Sequence, residues 1–202
     1  MARRSSYRPL LALSVGCFLS MLLPITVRAG EACSAKSSTE IAKVFTDAIS
    51  LNDRFKKSLD DADRSAYDSL RPQVERFSEE DLFPCVRRAA KILSKGAEPV
   101  LMQNLLRLAL SYENSADETI PYSLGIIFAH NPGAIENGIK EFSEIQRQTL
   151  TKSIQWGWQN VKSGLSTAVI RDRDERLAKL SSYSLVATVM TIAMGGGRPL
   201  VR

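Results

Sequence analysis

Apolar residues recur along this chain at three- and four-residue spacings, and no run alternates with period two over the length of a strand. The pattern therefore predicts helices throughout. Ile41, Val44, Phe45, Ala48 and Leu51 make the first apolar stripe, with Ser38 and Thr39 placed to cap it. The next stretch, 52–77, is rich in charge and leaves Phe55, Leu59, Tyr67, Leu70, Val74 and Phe77 as the expected buried set, with Pro72 starting or bending a turn. Ser78 followed by Glu79, Glu80 and Asp81 has the composition of a new helix start, its acids lying where the helix dipole favours negative charge. The inward face of that helix is Leu82, Cys85, Val86, Ala89, Ile92 and Leu93, and Gly96 closes it.

Proline marks two further starts. Pro99 opens a segment in which Val100, Leu101, Leu105, Leu108, Ala109 and Tyr112 share a face that Leu106 and Leu110 widen. Ser115 and Glu118 have capping-box spacing ahead of Ile120, Leu124, Ile127 and Phe128, a run that ends at His130 and Asn131. Pro132 restarts a helix carrying Ile135, Gly138, Ile139 and Phe142. Ser143 with Gln146 repeats the capping pattern before Ile145, Leu150, Ile154, Trp158 and Val161, and Gly164 stops that run. The last helix begins near Ser166, crosses a charged turn and enters an apolar stretch from Tyr183 to Met194, after which Gly195, Gly196 and Gly197 open a flexible tail over 195–202. These patterns predict an all-α fold, one domain of six to seven helices over 30–194 packed as antiparallel hairpins. An irregular bundle and a short stack of helix pairs both satisfy them.

The first 29 residues are expected to lie outside that domain. Arg3, Arg4 and Arg8 precede an apolar run from Leu10 to Ile25, and Val27-Arg28-Ala29 offers the small residues that a secretory peptidase reads. This predicts a signal peptide over 1–29 and a periplasmic or secreted mature chain. Retention of the segment as an inner-membrane anchor is the alternative, and membrane contact is expected only in that case. The plan resembles that of small exported helical proteins of Gram-negative bacteria, in layout and not in any motif.

Cleavage changes the charge. It removes four of the 27 basic residues and no acidic one, leaving 23 against 22, a net +1 in place of +5. With so little net charge and no basic helix evident in the pattern, counterion release supplies little energy, and nucleic acid is not an expected partner. Cys17 leaves with the signal, and Cys33 and Cys85 remain as an even pair expected to form a disulfide in an oxidising compartment. The 173 mature residues suffice to bury a core.

Candidate chemistry is sparse. His130 is the only histidine, so a metal site would have to lean on carboxylates, and no nucleophile motif surrounds it. Its place at a helix C-terminus, beside the carbonyl ends, accounts for it. Glu79, Glu80 and Asp81 share one helix turn and cannot straddle a glycosidic bond. No catalytic, cofactor-binding or metal-binding residue is expected, and no cofactor. Arg171 to Arg176 alternate in sign and are expected to form a solvated turn with Arg171–Glu175 and Asp172–Arg176 pairs. Tyr183 to Met194 is expected to be a buried last helix, too short to span a membrane.

The two tryptophans point to a surface. Residues two apart on a helix face about 200° from each other, so Trp156 and Trp158 cannot both enter one core. Trp158 continues the apolar stripe, which leaves Trp156 exposed, with Tyr122 and Tyr112 as expected neighbours and candidate partner contacts. The expected function is a non-enzymatic exported module that binds another envelope or secreted protein. Two alternatives remain: a carrier with an apolar pocket between the Leu101–Tyr112 and Ile120–Phe128 segments, and an envelope-polymer hydrolase with carboxylates converging in a cleft.

Overall fold

The computed structural model describes residues 33, 35–113 and 115–195, with side chains as far as Ser181. The expected signal peptide over 1–29, the expected burial of 183–194 and the tail beyond Gly195 lie outside the described residues and side chains. The elements are α1 (Ser38–Asp60), α2 (Arg64–Phe77), a π-helical turn (Ser78–Leu82), α3 (Phe83–Leu93), α4 (Pro99–Ser111), α5 (Thr119–His130), α6 (Pro132–Gly138), α7 (Glu144–Val161) and α8 (Thr167–Gly195). Because α2, the π turn and α3 run on without a break, these form seven helices in a single all-α domain.

That continuity corrects the helix start expected at Ser78, which instead lies buried in mid-helix. The cause is Pro84. It has no N–H to donate, and in a regular α-helix its ring would collide with the carbonyl of Glu80. In the π turn the Phe83 N–H bonds back five residues to the Ser78 carbonyl, which widens the helix ahead of the proline. Pro72 likewise lies inside α2 and starts no turn. The reversal falls earlier, at Asp61-Ala62-Asp63, where Ala62 takes the left-handed φ of 53°.

The resulting α1–α2 hairpin is joined by stacking of Phe55 on Tyr67, ring centroids 5.2 Å apart. Of the set expected to be buried in 52–77, only Leu70 is. Phe55, Tyr67, Val74 and Phe77 are half-buried and Leu59 is exposed, because α2 packs chiefly on α1 and buries only one edge.

Capping chemistry sets two helix starts. Ser37, one residue before the expected Ser38 or Thr39, forms the α1 capping box: its Oγ accepts from the Glu40 amide at 3.3 Å, and Glu40 Oε2 accepts from the Ser37 amide at 2.7 Å. Ser143 and Gln146 form the same reciprocal pair at α7, as their spacing predicts. Ser115 and Glu118 do not. Ser115 Oγ accepts from the Asp117 amide at 3.1 Å and Asp117 Oδ1 from the Thr119 amide at 2.8 Å, two short local turns that replace the box.

The principal interfaces join α5 to α7, α1 to α4 and α3 to α5, so the domain is an irregular bundle and not a stack of consecutive pairs. Phe45, Leu93, Leu105, Leu124, Phe128 and Trp158 fill its core. The closest approach is between α5 and α7. A Cβ built on Gly157 would stand 1.9 Å from the Pro121 carbonyl oxygen, and one on Gly125 would stand 2.2 Å from the Gly157 carbonyl carbon. Only hydrogen fits between these backbones. Beside the crossing, Phe128 and Trp158 meet edge to face at 6.0 Å.

The charged turn of α8 is only in part the solvated turn expected of it: Arg171, Asp174 and Glu175 are exposed, yet Arg173, Asp174 and Arg176 bond to other helices. Asp174 Oδ1 accepts the Trp158 indole N–H at 2.7 Å. Arg173 Nε donates to the carbonyls of Phe128 and Ala129, 3.1 Å each, where α5 ends and its last carbonyls need donors. Arg176 bridges Glu136 of α6, at 2.9 and 3.0 Å, and Asp172, at 3.1 Å. The expected Asp172–Arg176 pair is thus present, whereas no Arg171–Glu175 pair occurs among the ion pairs of the described residues. The expected Cys33–Cys85 disulfide is formed and buried, with Cα atoms 5.3 Å apart. No helix among the described residues is long and apolar enough to cross a membrane.

Candidate functional site

The glycine crossing fixes how α7 presents its two tryptophans. With Gly157 pressed on α5, Trp158 turns into the core at 0% exposure and Trp156 faces outward at 37%. Trp156 and Tyr112 line a groove of 410 Å³ between α7, the end of α4 and the start of α5. Ala109, Ile120 and Leu150 contribute apolar surface. Its charged lining is three acids, Glu113, Asp117 and Glu118, against one cation, Lys152. Thr149 Oγ1 of α7 donates to Glu113 Oε1 at 3.2 Å, linking the two sides of the groove, and the Asp117 turn stiffens the segment between α4 and α5.

Tyr112 is partly buried in this groove. Burial pushes its phenol above the ordinary value of 10, hydrogen bonding with Ser78 opposes that rise, and the nearby Asp117 carboxylate adds to it. Ser78 reaches this wall from the π turn, a relation that no local spacing in the sequence reveals. The sign of the linkage follows. The folded chain keeps the Tyr112 proton to higher pH than the unfolded chain does, so folding stability falls as pH rises above 10. Tyrosinate absorbance is expected to show one step later than the ordinary range, and Tyr112→Phe is expected to remove it.

Tyr122 is not part of this groove. Although it follows Pro121, which lines the groove, the helical turn directs it elsewhere, 45% exposed in a separate cleft with Arg87, Lys91 and Ile126. Glu118 borders both spaces. Of the three aromatic residues expected together, the structure therefore unites Trp156 with Tyr112 and sets Tyr122 beside α3.

A cleft of 570 Å³ between α6, α7 and α8 is the other feature that sequence reading missed. Four carboxylates enter it, as a hydrolase would require, but three hold arginines: Glu136 and Asp172 bind Arg176, and Glu144 Oε2 accepts from Arg147 at 2.6 Å. Those acids are held in ion pairs, of which Glu136–Arg176 joins α6 to α8 and the other two lie within single helices. Arg147 Nε is buried there without a hydrogen-bond partner. Of the two segments expected to line a carrier pocket, Leu101, Leu105, Leu108, Leu124 and Phe128 are core residues at most 1% exposed and line none of these three spaces, whereas Ala109, Tyr112 and Ile120 line the groove and Tyr122 and Ile126 the cleft beside α3. His130 is exposed at the last position of α5. Among the described residues no group of three or more His, Cys, Asp or Glu is placed to hold a metal ion.

Compared with known proteins, the chain matches no family model, no curated protein and no solved structure.

Proposed function

We propose that the protein is an exported, non-enzymatic binding module whose partner is another secreted or envelope protein, seated in the groove of Trp156 and Tyr112. The observation that carries this reading is the exposure of Trp156 on a helix whose position the Gly125–Gly157 contact fixes, while Trp158 two residues on is wholly buried. A tryptophan held rigidly in a groove makes a strong anchor, because little side-chain freedom is lost on binding. Three acids against one lysine favour a segment of the partner bearing lysine or arginine, whose cation also suits the face of the Trp156 ring. A buried disulfide and the signal-like pattern before it support the exported setting.

The test is chemical cross-linking of intact cells, followed by purification of the tagged protein from the envelope, native against Trp156→Ala. One stoichiometric partner is expected with the native chain. Truncating an anchor of this kind costs about 2 kcal/mol or more of binding, roughly a thirtyfold loss, so the partner should disappear from the variant. Trp156 is outside the core, and the melting temperature of the variant should stay close to native. Recovery of the domain alone, or of the same partner in equal yield from the variant, would sink the proposal.

A further inference from the structure

The near-neutral mature charge conceals a local concentration of cations. Since α3 turns Cys85, Val86, Ala89 and Leu93 into the core, its outward side carries Arg87, Arg88 and Lys91, with Lys95 just past its end, all exposed. Positions 87, 91 and 95 repeat at four residues and follow one edge over about 12 Å, with Arg88 alongside. None of the four takes part in an ion pair among the described residues. The single carboxylate lining the cleft with Arg87 and Lys91 is Glu118. This stripe corrects the expectation that no basic helix exists. The acids of 79–81 mask it in sequence, but they lie in the π turn that precedes α3.

We infer that this face of α3 docks on an anionic membrane surface. Two observations favour a bilayer over a soluble polyanion. First, the cations adjoin apolar and amphipathic groups, the exposed ring of Tyr122 and the half-buried Ile126 of the same cleft, a combination that suits the headgroup boundary. Second, the Cys33–Cys85 bond fastens the chain to α3 two residues before Arg87, and Cys33 lies only eight residues beyond Ile25, the end of the apolar run that, as the expected signal segment, would enter the membrane on export. Eight residues span at most about 28 Å, so the stripe is tethered close to the headgroups while that run is in the bilayer. The inference does not depend on the groove of Trp156.

The exported, oxidised protein should be sedimented with phosphatidylcholine vesicles, with and without phosphatidylglycerol, at low and high salt. Binding is expected only with phosphatidylglycerol and should weaken with salt. Each of Arg87→Gln, Arg88→Gln, Lys91→Gln and Lys95→Gln is expected to lower the partition coefficient roughly fivefold, and the four together by two orders of magnitude or more. All four side chains are exposed, so the combined variant should melt like the native chain. Arg64→Gln with Arg71→Gln on α2 removes two cations elsewhere and should leave binding unchanged. Equal binding to neutral vesicles, or native-like binding by the combined variant, would overturn the inference. So would binding to inorganic polyphosphate without binding to vesicles, which would assign the stripe to a soluble polyanion.

Discussion

Gly157→Ala is expected to lower the melting temperature by roughly 6–12 °C, because its methyl group would meet backbone and not a side chain that could turn aside. The built Cβ lies 1.9 Å from the Pro121 oxygen and 2.8 Å from the Gly125 nitrogen, far inside van der Waals contact. Relief requires α5 and α7 to separate along their length, loosening Leu124, Phe128, Ile154 and Trp158 together. Overpacking of a core costs about 1–3 kcal/mol, and a clash against two backbones belongs at the upper end. Gly125→Ala meets the same crossing from the other side, at 2.2 Å from the Gly157 carbonyl carbon, and should cost a similar amount. Gly133 in α6 has nothing within 4 Å, so Gly133→Ala is the control, expected to be neutral or slightly stabilising. Thermal unfolding of the three variants checks the account, and a native melting temperature for Gly157→Ala would contradict the crossing.

Replacing both Cys33 and Cys85 by alanine is expected to cost about 4 kcal/mol, the chain-entropy value for a loop of this size. The two cysteines are 52 residues apart, and the bond holds the segment before α1 against the start of α3. Little else in that segment would do so. The Lys36–Asp81 pair spans 3.9 Å with both side chains partly exposed, and such a pair contributes at most about 1 kcal/mol. Urea unfolding with and without reductant separates the effect of the bond from that of the substitutions. Reductant should bring the native chain down to the stability of the double variant and leave the variant itself unmoved. Equal stability of native and variant chains under oxidising conditions would deny the bond its role.

Residues whose role is set by their own helix were legible in the sequence. The period of Ile41, Val44, Phe45 and Ala48, the Ser143–Gln146 capping box, the division of Trp158 inward from Trp156 outward, and the pairing of two cysteines all follow from local spacing or elimination. What escaped was set by a second helix. Ser-Glu-Glu-Asp has the composition of a helix start whether or not a helix already runs through it, and only the continuous packing of 64–93 decides the matter. A glycine in a helical pattern reads as a weak point until its partner backbone is known, so Gly125 and Gly157 gave no sign of their contact. The alternating charges of Arg171 to Arg176 satisfy the rule for a solvated turn, yet Arg173, Asp174 and Arg176 find partners on α5, α7 and α6. One signal was available: a buried Trp158 needs an acceptor for its indole N–H, and a nearby acid such as Asp174 is the natural supplier. Tyr122 was misplaced because a helix rotates successive side chains by about 100°, and sequence proximity to the groove does not turn a residue into it.

The most direct test of the groove as a binding site is a photo-reactive benzoylphenylalanine placed at Ser153, which lines it, or at Arg64 on α2, which does not. Each chain would be irradiated in living cells and its adducts identified by mass. The account predicts one adduct with a different exported protein from position 153, none from position 64, and loss of that adduct with Trp156→Ala or Glu113→Lys. No adduct from 153, equal adducts from both positions, or a product of twice the chain's own mass would contradict it.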